Sequence, residues 1–158
     1  MATLKVMLNE AVITKREENI ISLRTAYFWD DGVMGTLVLL PPVSDRWAEG
    51  QIHGDVCWVY KRRRPLLSRL KGCYRRHESA SVLREMKAGT VSEYPEIEFK
   101  WADTGHSVAV LVDGVALGFI AESRANSCSK AFVKQGNSNH WDEELFQRTF
   151  GVWTRTDH

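Results

Sequence analysis

At 158 residues, with 44% apolar and 26% charged residues, the chain has an ordinary globular composition and the length to bury a sizeable core, which excludes a disordered tail or a small disulfide scaffold. Its formal charge of +1 conceals a segregation: residues 61–76 carry eight Lys/Arg and no acid, while the other thirteen Lys/Arg stand against all twenty Asp/Glu, a net of −7. A membrane helix needs about 20 consecutive apolar residues; the longest near-apolar run, 33–43, is interrupted by Gly35, Thr36, Pro41 and Pro42.

The first twelve residues lack the charged, apolar and small-residue regions of a secretory leader. Three cysteines, an odd number, and no Asn-x-Ser/Thr acceptor complete a picture of free thiols in a reducing, cytoplasmic setting. The expectation is a single α+β domain over residues 1–158.

In chain order, residues 5–8 and 11–14 read as short β pieces, and 15–19 as a polar turn. From Ile20 the alternation strengthens. Ile21, Leu23, Thr25, Tyr27 and Trp29 alternate with Ser22, Arg24, Ala26 and Phe28, the period of a strand. Asp30-Asp31-Gly32 is a hairpin turn, and 33–40 returns as a strand apolar on both faces, hence central in its sheet. This is a hairpin over 20–40, ended by Pro41-Pro42, which cannot donate to a ladder.

After a polar connection, residues 55–61 form a strand, with Val56, Trp58 and Tyr60 on one face and Cys57 and Val59 on the other. A central helix is expected over 65–88, possibly in two pieces. Pro65 suits its first turn, and Leu66, Leu67, Leu70, Cys73 and Tyr74 share a helical stripe. The second piece is capped by Ser79 or Ser81 and stopped at Gly89.

A three-strand meander follows over 96–121, with Asp103-Thr104-Gly105 and Asp113-Gly114 as its turns. Residues 122–139 read as a long polar loop with at most one short strand. A C-terminal helix is expected over 140–150, with Asn139 as N-cap, acids in its first turn and Gly151 beyond its end. Every adjacent strand pair is hairpin-joined, so the sheet should be mainly antiparallel.

The basic stretch is the leading candidate for function. Arg pairs bidentately with carboxylates and phosphates, and aromatic rings beside it add stacking or cation–π contacts. The candidate partner-binding residues are Lys61, Arg62, Arg63, Arg64, Arg69, Arg75 and Arg76, with Trp58 and Tyr60. The same run also reads as a strand end followed by the solvated face of a helix. As a dock, it favours an acidic protein surface. A nucleic acid is the alternative, weakened by a pI of 7.8, where basic modules commonly exceed about 9.

Other constellations are thinner. Cys73 and His77 stand one helical turn apart, with Cys57 upstream, but no fourth ligand has zinc-site spacing. His53-Gly54-Asp55 and His140-Trp141-Asp142 are His-x-Asp pairs, the second read first as a capped helix start. Cys128 with His106 or His140 would make a thiol–imidazole pair if they met. No Gly-x-Ser-x-Gly elbow, phosphate loop or dinucleotide fingerprint occurs. No cofactor or metal is expected. The sequence thus points to a non-enzymatic binding protein, of the inhibitor or immunity type, that docks an acidic macromolecule.

Overall fold

The computed structural model describes residues 13–43, 54–62, 84–122, 127–133 and 140–151. They form two sheets and one helix, an α+β arrangement dominated by β-structure. The first sheet has the order β1-β2-β3-β4-β5: β1 (Ile13–Glu18), β2 (Thr25–Asp30), β3 (Met34–Leu40), β4 (Asp55–Arg62) and β5 (Ala88–Gly89). All its pairs are antiparallel except β4 with β5. The second sheet, β6-β7-β8-β9, is antiparallel throughout: β6 (Ile97–Trp101), β7 (Val108–Val112), β8 (Val115–Ile120) and β9 (Ser127–Ser129). The helix, α1, is Glu143–Phe150.

The sheets pack face to face. Phe28, Leu37, Leu39, Cys57, Val59 and Tyr60 from the first meet Ile97, Val108, Val110, Val112 and Ile120 from the second in one buried cluster. On the outer face of the second sheet, Ala109, Leu111, Phe119 and Cys128 pack against Leu145, Phe146 and Phe150 of α1. Phe119 meets Trp141 and Phe150 edge-on, the arrangement the ring quadrupoles favour. The order is therefore sheet, sheet, helix.

β3 is buried at all seven positions, as its two-sided apolar pattern requires, and it is the middle strand of its sheet. At the Asp113-Gly114 turn, φ is 51° and 74°, the left-handed pair of a type I′ hairpin.

Several expectations shift. The turn at 15–19 is strand instead: β1 runs to Glu18, antiparallel to β2. The strand expected from Ile20 begins at Thr25, and residues 19–24 are the turn. Here Asn19 takes over: its side-chain oxygen accepts from the backbone N–H groups of Ile21 and Ser22, and its carbonyl from Leu23. An Asx side chain that satisfies backbone donors outcompetes the β preference of two isoleucines.

α1 starts later than expected. Asp142, not Asn139, is the cap, accepting from Leu145 N at 2.9 Å. Most of the central helix lies outside the described residues. Of its last positions, Arg84 and Glu85 are helical, whereas Met86 bridges Phe132 and Ala88–Gly89 pair in parallel with Lys61 and Arg62.

One side of the sandwich is closed by charge. β1 alternates, and its inward residues are Lys15 and Glu17. Lys15 Nζ donates to Ile97 O at 2.7 Å, and Trp101 Nε1 donates to Glu17 Oε1 at 2.8 Å. These residues link β1 to β6, the edge strand of the other sheet, and inward-pointing charges of this kind disfavour edge-to-edge pairing.

Cys57 lies between the sheets, 1% exposed. Burial pushes its thiol from an ordinary 9.0 up to about 12, against hydrogen bonding from Ser127 and Phe119. A raised thiol stabilises the fold fully below pH 9, where both states hold the proton. That contribution is lost as pH climbs from 9.0 to about 12, where only the unfolded chain has released it. Over this window the wild-type protein should lose about 1.4 kcal/mol per pH unit more than Cys57→Ala. Urea titrations at half-unit pH steps measure the difference; equal slopes would show that Cys57 is not protonated in the fold.

Candidate docking site

The basic block enters the structure on β4, and the local geometry of that strand decides what its first residues do. β4 does not alternate cleanly. Opposite β3, Gly35 pairs with Tyr60 and Thr36 with Trp58, so Val59 is an extra residue in a bulge. A bulge puts two residues against one and resets the side-chain parity beyond it. Before it, Cys57 faces inward and Trp58 outward. After it, Tyr60 and Arg62 face inward with Val59, and Lys61 pairs with Met34 on the outer face.

This reset brings Tyr60 and Arg62 to Asp30, the last residue of β2. Asp30 is fully buried, the one buried acid among the described residues. Its Oδ2 accepts from Tyr60 Oη at 2.6 Å and from Arg62 Nε at 2.9 Å, with a second short bond from the other end of the guanidinium. Its Oδ1 accepts from Gly32 N at 2.7 Å, so the same carboxylate closes the β2–β3 turn. The third guanidinium nitrogen, Nη1, donates to Ser92 O.

The electrostatics follow from the geometry. Burial works against charge on Arg62, but the hydrogen bonds and charge of Asp30 more than offset it, and its pKa lies above the ordinary value. Burial, with Asp30's hydrogen bond and charge, holds the Tyr60 phenol protonated. The Tyr60 ring lies over Gly35, where a Cβ would sit 2.6 Å from the ring.

Two expected docking residues therefore have another role. Tyr60 is 2% exposed and packs on Phe28 with its hydroxyl spent on Asp30. The Arg62 side chain is 12% exposed and its guanidinium is committed. Within the fold both side chains act as structural anchors of the Asp30 carboxylate. Alternation in the sequence carries no mark of the bulge, and Asp30 reads there as a turn residue.

Trp58 is half-buried on the outer face, beside a small cluster of Val33, Met34, Met86, Ala131 and Phe132. Lys61 is half-buried on the same face. Arg63, Arg64, Arg69, Arg75 and Arg76 lie outside the described residues, as do His53, Cys73 and His77.

Of the thinner constellations, only the members within the described residues can be placed, and His140 comes beside Cys128 in the backbone, where it bridges Ser129. Asp55 is bridged to Arg24 at 3.1 Å. Asp142 caps α1, and His140 Nδ1 lies 3.1 Å from Phe132 O. Cys128 is buried beneath α1, whereas His106 sits in the β6–β7 turn, where its carbonyl accepts from Arg24. Among the described residues, no three His, Cys, Asp or Glu side chains converge in a way that could hold a metal ion, and no helix is long and apolar enough to cross a membrane.

What the sequence reading missed lies at the other end of β4, at the β1–β2 turn. Ile20, Ile21 and Leu23 are 89%, 68% and 53% exposed, and Leu23 has a left-handed φ of 57°. The signal available in the sequence was Asn19, whose side chain favours a turn over a strand.

Comparison with protein-family models, with curated proteins and with solved structures gives no match.

Removing one partner from a buried ion pair leaves the other charge uncompensated, which costs about 3–5 kcal/mol. Asp30→Ala and Arg62→Ala should each destabilise by that amount. Tyr60→Phe, which removes one donor, should cost about 1–3 kcal/mol. In a double-mutant cycle, Asp30→Ala with Arg62→Ala should cost well under the sum of the two. Additive losses in chemical denaturation would mean that the pair is not coupled.

Proposed function

We propose that this protein is a non-enzymatic binding protein that docks an acidic protein partner through the cationic stretch beginning at the end of β4. The observation that carries the reading is the segregation of charge: eight cations and no acid over residues 61–76, in a chain otherwise at −7. Such a patch accelerates encounter with an opposite surface and sets orientation.

The anchoring of Arg62 sharpens the assignment. Asp30 takes one cation of the block, and the next residues in sequence, Arg63 and Arg64, follow directly on the anchored one. The recognising set is then Arg63, Arg64, Arg69, Arg75 and Arg76, with Lys61 and Trp58 on the outer face of the strand. Tyr60 no longer counts among the aromatics beside the block, which weakens base stacking and with it the nucleic-acid alternative. An inhibitor or immunity-like role and a cytoplasmic location belong to the same reading.

The test leaves Arg62 in place, because its loss acts on folding. Immobilised wild-type protein, exposed to nuclease-treated host extract, should retain an acidic protein. Arg63→Glu with Arg64→Glu, at unchanged thermal midpoint, should lose at least about tenfold of that affinity, the scale of one to two removed charge-assisted contacts. Undiminished capture by the double variant overturns the proposal, and capture that disappears with nuclease treatment transfers the patch to nucleic acid.

A further inference from the structure

The β1–β2 turn inverts the usual partition of side chains. Three aliphatic residues within four positions point to solvent: Ile20, Ile21 and Leu23. Scattered exposed aliphatics need no explanation, but a cluster on a protruding tip is different. The polar groups of the same turn are turned inward. Ser22 Oγ donates to Gly105 O at 2.6 Å, a buried bond to the β6–β7 turn. Arg24 donates to Leu40 O and His106 O and pairs with Asp55. Gly105 fits so closely that a Cβ would lie 2.2 Å from Asn19 Oδ1. The tip is thus fastened to both sheets and presents its aliphatics in one conformation.

Leu23 adds a second observation. Its φ of 57° is a region where Gly or Asn is at ease and a bulky residue is not. The side chain points outward, half exposed, so packing within the fold does not account for a leucine there.

We infer that this tip is a second docking element, which inserts Ile20, Ile21 and Leu23 into an apolar cleft on a protein partner whose rim carries Lys or Arg. The shape is convex, so the complement is a cleft. The rim follows from charge: Glu18 and Asp103, both exposed, flank the tip, while Arg24 is paired with Asp55 and Arg16, two residues before Glu18, lies over the Tyr27 ring. That acidic fringe repels an anionic membrane and complements a cationic rim. A tip held rigid before binding pays little ordering entropy on insertion. The tip lies at the Asp55 end of β4, and Arg62, where the cationic stretch leaves the strand, is at the other end, roughly 25 Å away at about 3.3 Å per residue.

The experiment places a photo-crosslinking p-benzoylphenylalanine at Ile20 of the full chain in host cells. The adduct is identified by mass, and the partner is then purified for affinity measurements. The expected result is one protein adduct. Ile21→Asp should weaken the purified pair by at least about a hundredfold, since it places a charge in an apolar cleft. Leu23→Asn should weaken binding about tenfold and raise the thermal midpoint by about 3 °C, because it removes an apolar contact and relieves the backbone. Arg63→Glu with Arg64→Glu should leave this affinity unchanged, which separates the tip from the cationic dock. The inference is overturned if the adducts are only to lipid or to a second copy of this chain. It is equally overturned if Ile21→Asp binds the purified partner within threefold of wild type, or if phosphatidylglycerol vesicles co-sediment with the wild type and not with Ile21→Asp.

Discussion

A carboxylate removed from water constrains this fold more than any other single group. Asp30 has no solvent to fall back on, so every lone pair must be met by protein. Gly32 N serves one oxygen, and Tyr60 and Arg62 serve the other. The latter two can do so only because β4 carries an extra residue at Val59. In an unbulged β4, Tyr60 and Arg62 would keep the parity of Trp58 and face away from the sandwich. The bulge in turn needs Gly35, since a side chain there would occupy the space of the Tyr60 ring. A turn, a strand irregularity, a glycine and a cation are thus one interdependent unit at one end of the molecule.

Burying such a pair does not by itself stabilise, because desolvation offsets much of the attraction. Its effect is on register. Shifting β4 by one residue against β3 would leave Asp30 without its cation, so the slipped pairing carries the full cost of an unmatched buried charge. The same logic appears at the side, where Lys15 and Glu17 each find a partner on β6. Polar groups placed inward specify which alignment of the two sheets is acceptable, while the aliphatic cluster between them supplies the burial.

Much of the architecture was legible in the pattern. The 30–32 turn, the central position of the third strand, the meander over 96–121 and a C-terminal helix with acids in its first turn all follow from alternation and turn chemistry, which are local. The misplaced features share a cause: a side chain whose partner is remote in sequence or whose local polar group outcompetes propensity. Ile20 and Ile21 have strong strand preference, yet the Asn19 oxygen takes the backbone donors that a strand would use. Tyr60 and Arg62 alternate with Trp58 as an undistorted strand dictates, and only the counterpart of Val59 on β3, visible in three dimensions, changes their face. In the candidate site, cationic residues were readable as a group. That Arg62 is spoken for by an acid thirty-two positions away was not.

The two ends of β4 show complementary exceptions to the rule that apolar groups go inside and charges outside. At the Arg62 end, charge is buried, and a matched acid, a phenol and a turn amide make that tolerable. At the Asp55 end, aliphatic side chains are exposed, and the polar groups of the turn are consumed by Gly105, His106, Leu40 and Asp55. Each exception is compensated within its own end, so neither depends on the other for stability. Local compensation of this kind lets the sandwich bury charge at one end and expose aliphatic side chains at the other, because alteration of either need not unsettle the packing between the sheets.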